Sequence, residues 1–306
     1  MNPNMQRDPA LVLPNLTLDA IAPPYLGYSY FQDCDAYPFR ARATGGDLVN
    51  AWWLVEAATL AWTEEAFARE KFNLAGLPIV AFFNGPGTQC YVAGNAEVII
   101  VAFRGSEIRP RPGPLDFRNI VADLITDVDI QPVESGGVGK VHRGFKQGLD
   151  EVWEGLYDYL CSQRQGNNRT LWFTGHSLGA ALATLAAQRY GPDCSLYTFG
   201  SPRVGDREFK DAFAVNAFRF VNHLDVVTRV PLAPYEHVGE LYYIDGQGSI
   251  HSTPGSRDDT AVAGEGVADL LDSPARMAPG SPSFIPQGIL DHVPLLYATH
   301  IWNNIP

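Results

Sequence analysis

Cysteine is scarce in this 306-residue chain: four residues, Cys34, Cys90, Cys161 and Cys194, lie far apart. They form no Cys-x-x-Cys pair and no Cys/His group with the spacing of metal ligands. A redox dithiol and a zinc-type centre are therefore not expected, and neither is any metal or organic cofactor. The cysteines read as free thiols, not as a disulfide framework. Basic charge is also short, with 22 Lys and Arg against 34 Asp and Glu and a formal net charge of -12. That balance speaks against nucleic acid as a partner and against electrostatic docking on an anionic membrane. No repeat and no low-complexity run is present. Long uncharged apolar runs are missing too: the most apolar stretch, AWWLVEAATLAW (51–62), is interrupted by Glu56 and followed by Glu64 and Glu65. It is too short and too charged to span a bilayer, so no transmembrane segment is expected and the stretch reads as a buried helix. At the N-terminus Asp8, Pro9 and Pro14 break the apolar core that a secretory signal needs. A cytoplasmic location is the expectation, with an extracellular one left open.

What is present is a globular composition, 46% apolar and 18% charged, long enough to bury a substantial core. One domain over 1–306 is expected. Its first 46 residues, rich in Pro, Tyr and Gly, read as a surface wrap, and 47–72 as one long helix. Short strands follow near 78–83, 89–93 and 96–103, the last a continuous apolar run suited to a central strand. Pro110, Pro112 and Pro114 keep 107–115 irregular. The stretch from Val141 to Gln163 reads as a helix, and CSLYTF, AFRFVN and ELYYID as further strands. Strands alternating with helices imply an α/β fold, a mostly parallel central sheet with helices on both faces and ligands at the carboxyl ends of its strands. From 251 to 288 the chain becomes an irregular Gly/Ser/Pro-rich excursion, with one short helix expected near 261–272.

The most informative stretch is LWFTGHSLGAALATLAAQRYG (171–191). Leu171 to Phe173 read as a buried strand. Leu178, Leu182, Leu185 and Ala186 fall on one face of a helix that Gly191 and Pro192 end. Between them stands Gly-His-Ser-Leu-Gly. A strand that feeds a helix with no spare residues needs a tight, strained turn, and glycines two before and two after the centre let the backbone pass its neighbours. The turn exposes Ser177 at a helix N-terminus, where unpaired N–H groups and the helix dipole favour an oxyanion. A serine hydroxyl needs a base, and the base needs an acid to hold its tautomer. Asp225, just after the strand AFRFV, is the candidate acid. Of seven histidines, His142 precedes the serine, while His176 and His223 are set aside on orientation. His292, late in the chain after the excursion, is the preferred base; position alone leaves His300 open.

The segments VIIVAFRGS, VHRGF, FTGHSLGAALATLAA, YTFGSPRVGD, NHLDVVTRVP and YEHVGELYYI stand in the order seen in class 3 lipases, and the chain resembles that family over about 96–245 and again near 292. The resemblance implies an α/β-hydrolase fold, with Ser177 as nucleophile, Asp225 as acid and His292 as base. His292 fits because Asp291, His292 and Tyr297 match a recurrent Asp-His pattern with a following tyrosine. It leaves His237 outside the triad. It also implies backbone donors to the oxyanion from Ser106 and Leu178, each worth on the order of 3 kcal/mol in the transition state. Arg104 reads as a structural ion-pairing residue. The chain departs from the family by inserting EIRPRPGPLDF, which makes 107–119 a lid-like insertion.

The expected activity is serine carboxylic ester hydrolysis through an acyl-enzyme, on acylglycerol or other apolar acyl esters. The partner would be a small-molecule ester or lipid, met in solution or at a lipid–water interface. Feruloyl esterase and phospholipase A1 are the alternatives on the same scaffold. Outside the enzyme class stands a hydrolase-fold protein that binds without turnover.

Overall fold

The computed structural model describes residues 23–105, 131–252 and 287–306. The expected lid-like insertion at 107–119 and nearly all of the excursion at 251–288, with its expected short helix, lie outside the described residues, as do Ser106 and residues 1–22.

Helices α1 (Leu48–Leu60) and α2 (Glu65–Leu74) precede three strands, β1 (Ile79–Asn84), β2 (Gln89–Gly94) and β3 (Val98–Phe103). A hairpin, β4 (Pro132–Glu134) and β5 (Lys140–His142), leads into helices α3 (Arg143–Asp150) and α4 (Trp153–Arg164). Next come β6 (Thr170–His176), α5 (Leu178–Tyr190), β7 (Ser195–Phe199), α6 (Arg207–Ala212), β8 (Asn216–Asn222) and a 3-10 turn at Val226–Arg229. Strands β9 (Glu240–Ile244) and β10 (Ile250–Ser252) and helices α7 (Gln287–Leu290) and α8 (Pro294–Asn303) complete the described chain. The main sheet has eight strands in the order β1-β2-β3-β6-β7-β8-β9-β10. From β3 through β6, β7 and β8 to β9 all pairs are parallel, while β1, β2 and β10 pair antiparallel at the edges.

The apolar run in β3 is explained by its place. It is buried along its whole length, so alternate residues serve opposite cores. Val98, Ile100 and Ala102 face α1 and α8, together with Trp52, Trp172, Tyr197, Phe220, Tyr297 and Trp302. Ile99, Val101 and Phe103 face the other core, built with Phe145, Leu149, Leu156, Leu182 and Leu185 of α3, α4 and α5. Helices thus cover both faces, as the strand-helix alternation implies.

Three expectations change. The helix expected over 47–72 is two helices, because Glu64 is extended (φ -65°, ψ 151°) and the Thr63 hydroxyl donates to the Leu60 carbonyl, closing the first helix. The helix expected from 141 to 163 is likewise broken, at Glu151 and Val152. Residues 23–46 do more than wrap the surface. Tyr25, Tyr30 and Phe31 are buried, and Glu56 inside α1 receives the Tyr28 hydroxyl at 2.5 Å and the Phe31 N–H at 3.0 Å. The charge that interrupts the apolar run is only 1% exposed and is the anchor of this segment. Such a carboxylate is tolerable inside because it is hydrogen-bonded.

Candidate active site

The carboxyl ends of β6, β7 and β8 converge on Ser177. Its backbone has φ 59° and ψ -131°, a conformation that costs a non-glycine residue on the order of 1–3 kcal/mol. The flanking glycines make the turn fit. A Cβ on Gly175 would lie 2.2 Å from the Gly179 carbonyl carbon, and one on Gly179 would lie 2.4 Å from the Phe103 carbonyl oxygen. Neither position accepts a side chain, and this is the close backbone passage the pentapeptide anticipates. Leu178 opens α5, so its N–H is among those at the helix start that lack an intrahelical acceptor.

The loop after β8 brings Asp225, and the turn between α7 and α8 brings His292. His292 Nε2 lies 2.9 Å from Ser177 Oγ, and His292 Nδ1 lies 2.9 Å from Asp225 Oδ2. Both Asp225 and His292 are fully buried, and Ser177 is 4% exposed. With the Nδ1 proton directed at the carboxylate, Nε2 is left to accept from the serine hydroxyl. The structure therefore brings together the three residues read from the sequence as nucleophile, acid and base. His300, the competing base, is elsewhere: its ring packs against Gly248 on the β9–β10 side, and burial lowers its pKa. His237 Nε2 donates to the Thr228 carbonyl at 2.7 Å, outside the triad, and burial followed by the charge of Arg219 holds its pKa well below the usual value. Arg104, expected in an ion pair, donates to Gln89 Oε1 at 2.6 Å and lies over the Trp62 ring. Gly105 packs on that ring, which fixes the chain as it leaves β3 toward Ser106.

Several supporting contacts go beyond what the sequence implied. The Tyr297 hydroxyl donates to Asp225 Oδ2 at 2.6 Å and accepts from the Asn222 N–H at 3.0 Å; burial, then the Asp225 charge, raises its pKa well above the ordinary value and keeps it a donor. The Val227 N–H adds a further donor to Asp225, at 2.9 Å on Oδ1. His176, set aside as a base, is fully buried and its Nε2 donates to the His292 carbonyl at 2.7 Å. Burial, then the nearby His292, lowers its pKa well below normal and keeps it neutral. Gly200 (φ +57°) lies beneath the acid–base pair, leaving no room for a side chain. Tyr297 alone carried a local signal, its spacing from His292. The others depend on contacts between residues far apart in sequence. Among the described residues no group of His, Cys, Asp and Glu could hold a metal ion, and no helix is long and apolar enough to cross a membrane.

Residues 100–235 match the family model described as Lipase (class 3). Over 166 residues the chain is 36% identical to the lipase of Rhizomucor miehei, an alignment covering 49% of this chain and 43% of that protein. It is 38% identical over 229 residues to phospholipase A1-II 1 of Oryza sativa subsp. indica, covering 64% of this chain and 54% of that protein. The chain thus spans about half the length of these curated relatives. Among solved structures, that of the Rhizomucor miehei triacylglyceride lipase matches with a TM-score of 0.54 at 24% identity, over 78% of this chain and 94% of that one. This likeness bears on the fold alone, and the fold is that of an α/β-hydrolase.

Proposed function

We propose, for a chain that belongs to the class 3 lipase family through residues 100–235, that it hydrolyses carboxylic esters with apolar acyl groups, acylglycerols foremost, by way of an acyl-enzyme on Ser177. The observation that carries the reading is the unbroken path of two 2.9 Å contacts from Ser177 Oγ through the His292 imidazole to Asp225. As Ser177 Oγ attacks the ester carbonyl carbon, His292 Nε2 takes its proton, and Asp225 stabilises the imidazolium. The Leu178 N–H, with Ser106 as the second donor, receives the oxyanion. Collapse expels the alcohol, which leaves with the proton from His292. Water then attacks the acyl-enzyme with His292 again as base, releasing the acid and restoring Ser177. Each step uses only protein groups and water, so no metal or cofactor is called for.

The lipid-ester assignment draws on the family and on the relative named a lipase. The similarity to a protein named phospholipase A1 favours phospholipid as a second substrate class. The net charge of -12 works against anionic headgroups, so neutral lipid is the first choice. The test is a panel of p-nitrophenyl esters from acetate to palmitate beside an emulsified triglyceride, a neutral phospholipid and methyl ferulate. Turnover of triglyceride and long-chain esters is expected. Cleavage confined to ferulate or to phospholipid would replace the lipase reading.

A further inference from the structure

The base and the acid arrive on different parts of the chain. Asp225 follows β8, whereas His292 lies 67 residues further along, between α7 and α8. Their 2.9 Å contact therefore depends on what fastens one segment to the other. Asp291, next to the base, makes most of that connection. Its Oδ2 accepts from His223 Nδ1 at 3.1 Å and from the Leu224 N–H at 3.0 Å; its Oδ1 accepts from Gln287 Nε2 at 2.6 Å; and its backbone carbonyl accepts from Asn222 Nδ2 at 2.9 Å. Three consecutive residues, 222 to 224, thus bind the residue before the base, and the next residue along is the acid.

His223 is held there at a cost. Its φ is +37°, in a region that side-chain-bearing residues rarely occupy, and its ring lies against Gly246, where a Cβ would come within 3.0 Å of Nε2. A strained backbone that aims an imidazole at a carboxylate beside the active base is where function, more than packing, would account for the strain. Asp291 is 5% exposed and the His223 side chain is one-third exposed, so this is a contact at the edge of the core, not in it.

Building on the ester-hydrolase reading above, we infer that Asp291 and His223 are positioning residues: they fix the register of the 291–292 turn against 222–225 and so hold His292 Nδ1 opposite Asp225. They touch no reacting atom. Their effect falls on the fraction of enzyme with the base aligned, which lowers kcat and leaves KM, because the substrate-binding surface does not change.

The experiment compares the full chain with His223→Leu, His223→Asn and Asp291→Asn. Steady-state rates on p-nitrophenyl butyrate are measured beside thermal unfolding and labelling of Ser177 by a fluorophosphonate. Leucine removes the donor. Asparagine keeps one, because its Nδ2 is bonded to Cγ as Nδ1 is in histidine, and it tolerates a positive φ better than most residues. His223→Leu is expected to lose about tenfold in kcat and in labelling rate with KM unchanged within twofold, a loss suited to a base displaced by a fraction of an ångström. His223→Asn is expected to return to within threefold of wild type, and Asp291→Asn, which turns an amide toward donors, to be at least as impaired as His223→Leu. A folded His223→Leu or Asp291→Asn with wild-type kcat, or a His223→Asn no better than His223→Leu, would overturn the inference while leaving the ester-hydrolase reading intact. Wild-type protein that neither turns over esters nor reacts with the fluorophosphonate would overturn both.

Discussion

Placing one methyl group at Gly200 should impair the proposed ester hydrolysis without replacing any triad residue. The backbone there has φ +57°, and a Cβ would lie 2.8 Å from Asp225 Oδ2, 2.9 Å from His292 Nδ1 and 3.0 Å from His292 Cε1. Ordinary contact for such atoms begins near 3.4 Å, so the overlap is about half an ångström. Neither neighbour has an easy retreat. Asp225 is held by Tyr297 at 2.6 Å and the Val227 N–H at 2.9 Å, and His292 by His176 at 2.7 Å. Since a misplacement of about 1 Å costs on the order of 100-fold, half of that should cost roughly tenfold in kcat, or about 1.4 kcal/mol of barrier. The positive φ adds about 1–3 kcal/mol of destabilisation. Gly166→Ala is the control, for it carries the same kind of backbone strain (φ +73°) with nothing within 4 Å of the added carbon. Saturating p-nitrophenyl butyrate kinetics and thermal melts of both variants separate the two effects. Gly200→Ala should lose kcat and stability, and Gly166→Ala stability alone. A Gly200→Ala protein with kcat within twofold of wild type would refute the reasoning.

Three further outcomes follow from the same geometry. His176 and His237 are buried and neutral, with pKa values pushed down by burial, whereas the unfolded chain protonates both near pH 6.5. The unfolded state therefore binds more protons as pH falls below about 6.5, and stability should decline by up to about 1.4 kcal/mol per pH unit for each histidine until the folded-state values are reached. Urea midpoints at pH 7.5 and 5.5 measure it, and equal midpoints would contradict it. Tyr297→Phe removes a donor to Asp225 and strands the Asn222 N–H, so a stability loss of about 1–3 kcal/mol and a lower kcat are expected in melts and butyrate kinetics, against no change in either if the hydroxyl is idle. Glu56→Leu deprives the Tyr28 hydroxyl and the Phe31 N–H of their acceptor; limited proteolysis should then cut first within 23–46, and an unchanged cleavage pattern would argue that other contacts hold this segment.

The parts of this molecule that were legible in its sequence are those whose cause is local. The apolar run at 98–103 announces a strand buried on both faces, and Gly175, Ser177 and Gly179 announce the turn, because only a glycine fits within 2.5 Å of passing backbone. The order of Ser177, Asp225 and His292 along the chain was readable as well. The breaks at 61–64 and 151–152 were not, since the apolar pattern continues across both and one is closed by hydrogen bonds of a single threonine and a neighbouring helix end. Nor did any local pattern show that His176 would hold the His292 carbonyl from 116 residues away, or that Gly200 would lie under the acid–base pair. Such relations exist only once the sheet has brought strand ends together.

The most direct test of the account is the intact mass of the protein after exposure to a fluorophosphonate, with the adduct mapped by peptide sequencing. The account predicts one adduct, on Ser177, absent from Ser177→Ala and formed at least a hundredfold more slowly by His292→Ala, while His300→Ala labels at the wild-type rate. Labelling of another residue, or a His292→Ala protein that labels as fast as wild type, would contradict the claim that Ser177 and His292 act together as nucleophile and base.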